Sequence, residues 1–238
     1  MGNGVRFYSA GPLSLFAIIL LIALLIIIIP LLILGIIGAA FTRLGFSWIS
    51  ALAVVLLMLF GSFVNIPLYH IRRDMIRGYQ DEASDFDVCI RCTTSEIWDT
   101  IISLNLGGAV VPACISLYML YLATLITGSS LVFSVCAGIM VVATIAFFST
   151  RLVTNVGIQV PLLIPGLSAL LVGLLLAGGT GLPASVIAFV SGVIGVLLGG
   201  NLAKLYRIKD LEVPEVSVGG AGTFGSIFIC CILPALLA

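Results

Sequence analysis

The chain has 238 residues, of which 61% are hydrophobic and 8% charged, with a formal net charge of zero and a mean hydropathy of +1.33. A soluble domain carries roughly 25% charged residues to keep its surface wetted, so this composition excludes an ordinary water-soluble globule and makes lipid the solvent for most of the surface. Zero net charge also leaves no overall electrostatic basis for binding nucleic acid.

A helix needs about 20 mostly apolar residues to cross a hydrocarbon core about 30 Å thick. Runs near that length without Asp, Glu, Lys, Arg or His stand at 13–40, 47–69, 101–126, 130–148, 160–177, 182–198 and 219–238. Solid apolar runs fit helices, whereas barrel strands alternate and an open sheet leaves its edge amides unsatisfied in lipid. The expected class is therefore all-α: one domain over 1–238, a polytopic bundle of about seven transmembrane helices, multi-pass in a cell membrane with the bilayer as its partner.

The first run contains Ile26-Ile27-Ile28-Ile29-Pro30. At about 28 residues it is about twice as long as a signal-peptide core, so it reads as a span rather than a leader. The second run ends on Asn65-Ile66-Pro67, and a long connection over 70–100 follows. That connection opens with Arg72-Arg73-Asp74-Met75-Ile76-Arg77, basic residues that anchor a membrane exit, and turns acidic through Asp81, Glu82, Asp85 and Asp87. Cys89 and Cys92 also lie there, but only His70 joins them as a potential ligand. A structural zinc site needs about four ligands, so the expectation is no metal and no cofactor, with reduced thiols.

The third run carries Asn105-Leu106-Gly107-Gly108-Ala109-Val110-Val111-Pro112, and the fourth stops short of Arg151. Gly157-Ile158-Gln159-Val160-Pro161 leads into the fifth, which contains Pro165-Gly166; the sixth ends on Gly199-Gly200-Asn201. A second long connection, 199–217, holds Lys204, Arg207 and Lys209, then Asp210, Glu212 and Glu215. With Pro214 limiting any helix, it reads as a short amphipathic or extended segment at the membrane interface. The last run opens on Gly219-Gly220-Ala221-Gly222-Thr223-Phe224-Gly225-Ser226. No βαβ unit surrounds that stretch, so it is not a nucleotide fingerprint.

With seven spans, the amino terminus and the connections after spans two, four and six share one side. That side holds every Lys and Arg except Arg43. Lys and Arg bias short loops to the cytoplasm, so the amino terminus is expected inside and the carboxyl terminus outside.

All ten Asp and Glu residues fall in connections or at span edges. Proton relays and intramembrane carboxylate chemistry use acids held within the membrane, and the spans offer none. His70 is the sole histidine and no Gly-x-Ser-x-Gly elbow is present, so a catalytic triad, and an enzyme generally, is not expected. What the spans do offer is helix-breaking clusters paired with carboxamides, concentrated near one membrane face. Interrupted membrane helices are tolerated where the freed backbone lines a cavity or is buried by protein.

The leading expectation is a cytoplasm-facing cavity that binds or conducts a small solute or ion. Its expected lining is Asn65, Asn105, Gly107, Gly108, Gln159, Asn201, Gly220, Gly222, Thr223 and Gly225. The competing reading of the glycines is close helix packing. An assembly subunit, with small-residue faces at 107–109 and 219–222 docking a membrane-protein partner, is a further alternative.

The order Asn-Ile-Pro (65–67), Asn-x-Gly-Gly-Ala-x-x-Pro (105–112), Gly-Ile-x-x-Pro (157–161) and Gly-Gly-Ala-Gly-Thr-Phe (219–224) resembles domain-of-unknown-function family 1614 over nearly all the chain after the first span. The resemblance implies a polytopic membrane protein of archaea or bacteria and implies no activity. It also implies acidic residues at two places where this chain has Asn201 and Gly225. Paired acids there would faintly resemble a presenilin-type site, which needs one ionised and one protonated carboxyl. This chain would then be a catalytically degenerate scaffold, with spans six and seven adjacent and Asn201 facing Gly225.

Overall fold

The computed structural model describes residues 12–78, 93–153, 157–210 and 213–237. Cys89 and Cys92 lie outside the described residues. Helices α1 (Pro12–Arg43) and α2 (Trp48–Gly61) form a hairpin whose turn uses Gly45 at φ 95°, and the Ser47 hydroxyl caps α2 by accepting from the Ser50 amide. Strands β1 (Asn65–Gly78) and β2 (Thr93–Asn105) follow, and a π-helical turn, Leu106–Val110, leads into α3 (Val111–Thr127). Next come α4 (Ser130–Ser149), the short strands β3 (Arg151–Val153) and β4 (Gly157–Gln159), and α5 (Ile164–Ala177). Helix α6 (Leu182–Gly195) runs on through a π turn, Val196–Asn201, and a 3-10 stretch, Leu202–Asp210. Strand β5 (Glu215–Val218) and α7 (Phe224–Ile232), extended by a 3-10 turn over Leu233–Leu236, close the chain. Pro112, Pro165 and Pro183 each sit in a first turn, where their missing N–H costs nothing.

Helices dominate, as the apolar runs imply, but they are not seven equal spans. Ile19–Arg43, Leu106–Thr127, Ser130–Ser149 and Leu182–Ile208 are long and apolar enough to cross a membrane; Trp48–Gly61, Ile164–Ala177 and Phe224–Ala235 are apolar and shorter. At 1.5 Å per residue, a 14-residue helix such as α2 or α5 reaches about 21 Å, roughly two thirds of a hydrocarbon core.

Two expected spans also change type along their length. The run 47–69 turns to strand at Asn65, and the run 101–126 is strand up to Asn105. Apolar content alone does not separate a buried strand from a helix. Here Pro67 removes a helical donor and sits on an edge strand beside a register shift, which is where a sheet accepts proline. The segment 199–217 is a 3-10 stretch followed by a strand, close to the short amphipathic or extended form expected of it.

Helix α6 is the axis of the bundle: nearly every residue from Ala184 to Val196 is buried. Small residues make this possible. A Cβ on Gly192 would sit 2.9 Å from the Cys230 Cβ of α7, one on Gly195 2.8 Å from the Val142 Cβ of α4, and one on Gly173 of α5 2.6 Å from the Ala188 Cβ. Close backbone approach of this kind is how membrane helices pack where lipid gives no hydrophobic drive. The outward faces remain apolar, with Ile126, Phe148 and Leu175 each about 80% exposed.

One end of the bundle carries all the β structure. Strands β1 and β2 pair antiparallel, β2 and β5 parallel in the order β1-β2-β5, and β3 and β4 form a separate hairpin. The opposite end holds the α3–α4 and α5–α6 turns, and there the Gly181 amide donates to the carbonyl of Leu237. The connections after α2, α4 and α6 therefore share one end, which gathers Arg72, Arg73, Arg77, Arg151, Lys204 and Arg207. Lys204 lies buried with its ammonium 3.9 Å from the centroid of the Phe147 ring.

Candidate functional site

The residues expected to line one vestibule occupy four different environments. Asn65 and Asn105 stitch the sheet to the helices. Asn105 is buried at the end of β2 and caps the π turn, its Oδ1 accepting from the Gly108 amide at 2.7 Å. Its Nδ2 donates to the Ser62 carbonyl at 2.7 Å and to Asn65 Oδ1 at 2.9 Å. Asn65 Oδ1 also accepts from the Ser217 hydroxyl at 2.9 Å, while its Nδ2 donates to Glu215 Oε1 at 3.1 Å. Ser103 completes the network by donating to the same Glu215 oxygen at 2.7 Å. Every carboxamide atom of this pair is thus engaged by protein. Glu215, Ser103 and Ser217 were not expected here; on the apolar reading, 101–126 was helix, which hides the pairing of β2 with β5.

Gly107, Gly108 and Gly220 serve packing. A Cβ on Gly107 would overlap the Met58 carbonyl and the Ser62 amide, and one on Gly108 would overlap the Gly219 carbonyl. The small-residue faces at 107–109 and 219–222, considered above as a dock for a partner helix, are occupied by elements of this same chain, including each other. Gly220 accepts from the Thr223 and Phe224 amides and from the Thr223 hydroxyl, forming a tight turn ahead of α7. Thr223 is buried in that turn.

Asn201 is also buried, and its Nδ2 donates to the Val196 carbonyl at 3.3 Å across the π turn that ends α6. Helices α6 and α7 are neighbours, but a Cβ on Gly225 would meet Leu162 Cδ1 at 2.8 Å and no atom of Asn201 within 4 Å. Asn201 lines neither cavity described below. Asn201 and Gly225 are therefore not in direct contact.

Gln159, Gly222 and Gly225 do come together. They line a cavity of about 710 Å³ with Phe148, Ser149, Arg151, Val160, Pro161, Leu162, Ile164 and Ser226. Its lining comes from the end of α4, the β3–β4 hairpin, the start of α5 and the loop and first turn of α7. The loop before α7 is held there by the Val160 amide donating to the Gly222 carbonyl at 2.9 Å. Gly222 has φ 92°, and a Cβ on it would lie 2.6 Å from the Ile158 carbonyl, so glycine is required at that crossing.

Ser226 sits on the cavity wall and is 1% exposed, and its hydroxyl has no hydrogen-bond partner. Hydroxyls elsewhere in the bundle bond to the carbonyl four residues earlier: Ser116 to Pro112, Thr144 to Met140, Thr150 to Ala146 and Ser185 to Gly181. For Ser226 the corresponding carbonyl belongs to Gly222, which lies ahead of the helix and is taken by Val160. Burying a polar atom without a partner costs about 1–3 kcal/mol; among the described residues Ser226 Oγ shares this condition with Asn201 Oδ1, and of the two only Ser226 stands at a cavity. Ser226 closes the 219–226 run that the sequence marks as a helix-breaking cluster, whereas Arg151 reads in the sequence only as a topological charge.

A second cavity of about 750 Å³ lies at the opposite end, among Phe46, Tyr118, Met119, Leu122, Ile126, Leu182 and Val186, and is largely apolar. The two cavities share no residue, and the packed core around α6 separates them.

The model of the family described as "Protein of unknown function (DUF1614)" matches residues 59–237. The chain belongs to DUF1614. The match begins near the end of α2 and takes in both hairpins, the 710 Å³ cavity and the last helix, so this DUF1614 chain has its candidate site wholly within the family region. No curated protein and no solved structure matches the chain.

Proposed function

We propose that this DUF1614 protein is a multi-pass membrane protein that binds a small solute in the 710 Å³ cavity, with the sheet-bearing end facing the cytoplasm. The observation that carries the reading is Ser226: a buried, unpartnered hydroxyl on the wall of an open recess that also presents Gln159 and Arg151. A rotation of the Ser226 side chain toward the recess would let a ligand atom satisfy a group the fold leaves without a partner. The orientation rests on the basic residues gathered at that end. Binding is favoured over conduction because passage to the other end would require the packed core around α6 to open.

Labelling tests both parts. A Ser149→Cys variant, on the cavity wall, is treated with a charged, water-soluble maleimide in sealed vesicles of each orientation, and the labelled peptide is located by mass spectrometry. Labelling in inverted vesicles alone is expected. Labelling from the external side alone would reverse the orientation; no labelling from either side would remove the open cavity.

A further inference from the structure

We infer that the cavity is a site for an anionic group, a phosphate or carboxylate, and that it is built to admit an amphiphile's head. This rests on the solute-binding reading above and names its ligand class. Three features point to negative charge. Arg151 is the sole charged residue of the lining, and no ion pair engages it among the described residues. Ser226 supplies a buried hydroxyl with no competing acceptor, and Gln159 lies exposed at the same opening with its carboxamide available as a donor.

The starts of α5 and α7 both enter the lining, through Ile164 and through Gly225 and Ser226, and neither helix has a side-chain cap. The Phe224 amide is taken by the Gly220 carbonyl and Pro165 has no N–H, so the remaining first-turn N–H groups and the positive end of each helix dipole supply the bias toward anions. A cation finds no carboxylate in this lining.

The rim gives the second half of the assignment. Phe148, Leu162 and Ile164 line the cavity and are exposed, at 80%, 53% and 49%. On a helix bundle with lipid-facing walls, such a rim opens toward the bilayer as well as toward the water at the sheet-bearing end. A polar, positively biased floor with an apolar lateral lip fits a phosphate or carboxylate carrying a hydrocarbon chain. The same floor also accepts a free anion, so the two sources are separated by experiment.

The test uses full-length Ser149→Cys protein in phosphatidylcholine nanodiscs, with the maleimide labelling rate as readout. Inorganic phosphate is added in one arm, and phosphatidylglycerol replaces part of the phosphatidylcholine in the other. Protection is expected in at least one arm: by phosphatidylglycerol if the occupant is a lipid head group, by phosphate if it is a free anion. On the same background, Arg151→Gln should weaken protection about tenfold, the worth of one charge-assisted contact, and Ser226→Ala about fivefold.

Arg151→Lys should preserve protection. Gln159→Glu, nearly isosteric and on an exposed side chain, should abolish it by like-charge repulsion, an effect that a merely structural Gln159 would not produce. Unchanged labelling in both arms would overturn the anion assignment and leave the open cavity standing. Absence of labelling under every condition would remove the cavity itself.

Discussion

Replacing Asn105 by Ala gives the sharpest test of whether the Asn65–Asn105 pair builds the fold. The substitution removes the acceptor for the Gly108 amide, the donor to the Ser62 carbonyl and the donor to Asn65 Oδ1. Loss of a cap costs about 0.5–2 kcal/mol, and a buried carbonyl left without its partner about 1–3 kcal/mol. Asn105 is 1% exposed, so water cannot easily make up the deficit, and a total near 3 kcal/mol follows. For a chain of this size that corresponds to roughly 6–12 °C in Tm, readable as loss of monodisperse protein on heating in mild detergent. Asn105→Asp is the discriminating control. It keeps the acceptor for Gly108 but sets a carboxylate oxygen against the Ser62 carbonyl and Asn65 Oδ1, so it should also destabilise. An Asn105→Ala protein melting within about 1 °C of the wild type, well under 1 kcal/mol, would refute the stitching role and reopen Asn105 as a ligand-facing residue.

Ser226→Ala should leave the unliganded protein as stable as wild type or more stable by about 1 kcal/mol, since it removes an unpartnered buried hydroxyl; a clear loss of stability in the same melt would mean the hydroxyl has a structural partner. Gly107→Ala should impair folding, because its Cβ overlaps the Met58 carbonyl, whereas Gly35→Ala, with nothing within 4 Å, should not; equal yields of folded protein would contradict the packing described. Lys204→Met keeps the apolar stem but loses the ammonium over Phe147, a change of about 1 kcal/mol. In a double-mutant cycle with Phe147→Leu the two effects should be non-additive, and simple additivity would dissolve the pair.

Much of the helical architecture was legible because lipid leaves few choices: long apolar runs must satisfy their backbone internally, and α1, α4 and α6 begin and end close to where the charges and glycines indicate. The β1–β2 hairpin was not legible, since Ile66, Leu68, Ile101 and Ile102 count as span residues whether they stand in a helix or a strand. Its pairing with β5 is long-range, and no local signal couples Ser103 to Glu215. Gln159, Gly222 and Gly225 belong to glycine and carboxamide clusters of the kind that accompany broken helices, and these three meet at a cavity. Gly107 and Gly108 belong to the same kind of cluster, but there the broken helix is filled by another backbone. Nothing in the residues themselves separates those two outcomes. Ser226 belongs to the 219–226 run, but its lack of a partner is not legible in the residues: a serine in an apolar helix ordinarily bonds back to its own turn, and only the chain path through Gly222 denies it that acceptor.

The parallel pairing of β2 with β5 constrains the order in which the molecule can be made. Ser103 meets Glu215, and the Ile101 amide donates to the Pro214 carbonyl, across more than a hundred residues of chain. Four helices, α3 to α6, must be synthesised between those partners. Until then the edge of β2 with Thr100 and Ser103 lacks the strand that covers it. A ribosome-bound chain stopped ahead of residue 213 is therefore an open form of the protein, its last strand and the floor of its cavity still to come.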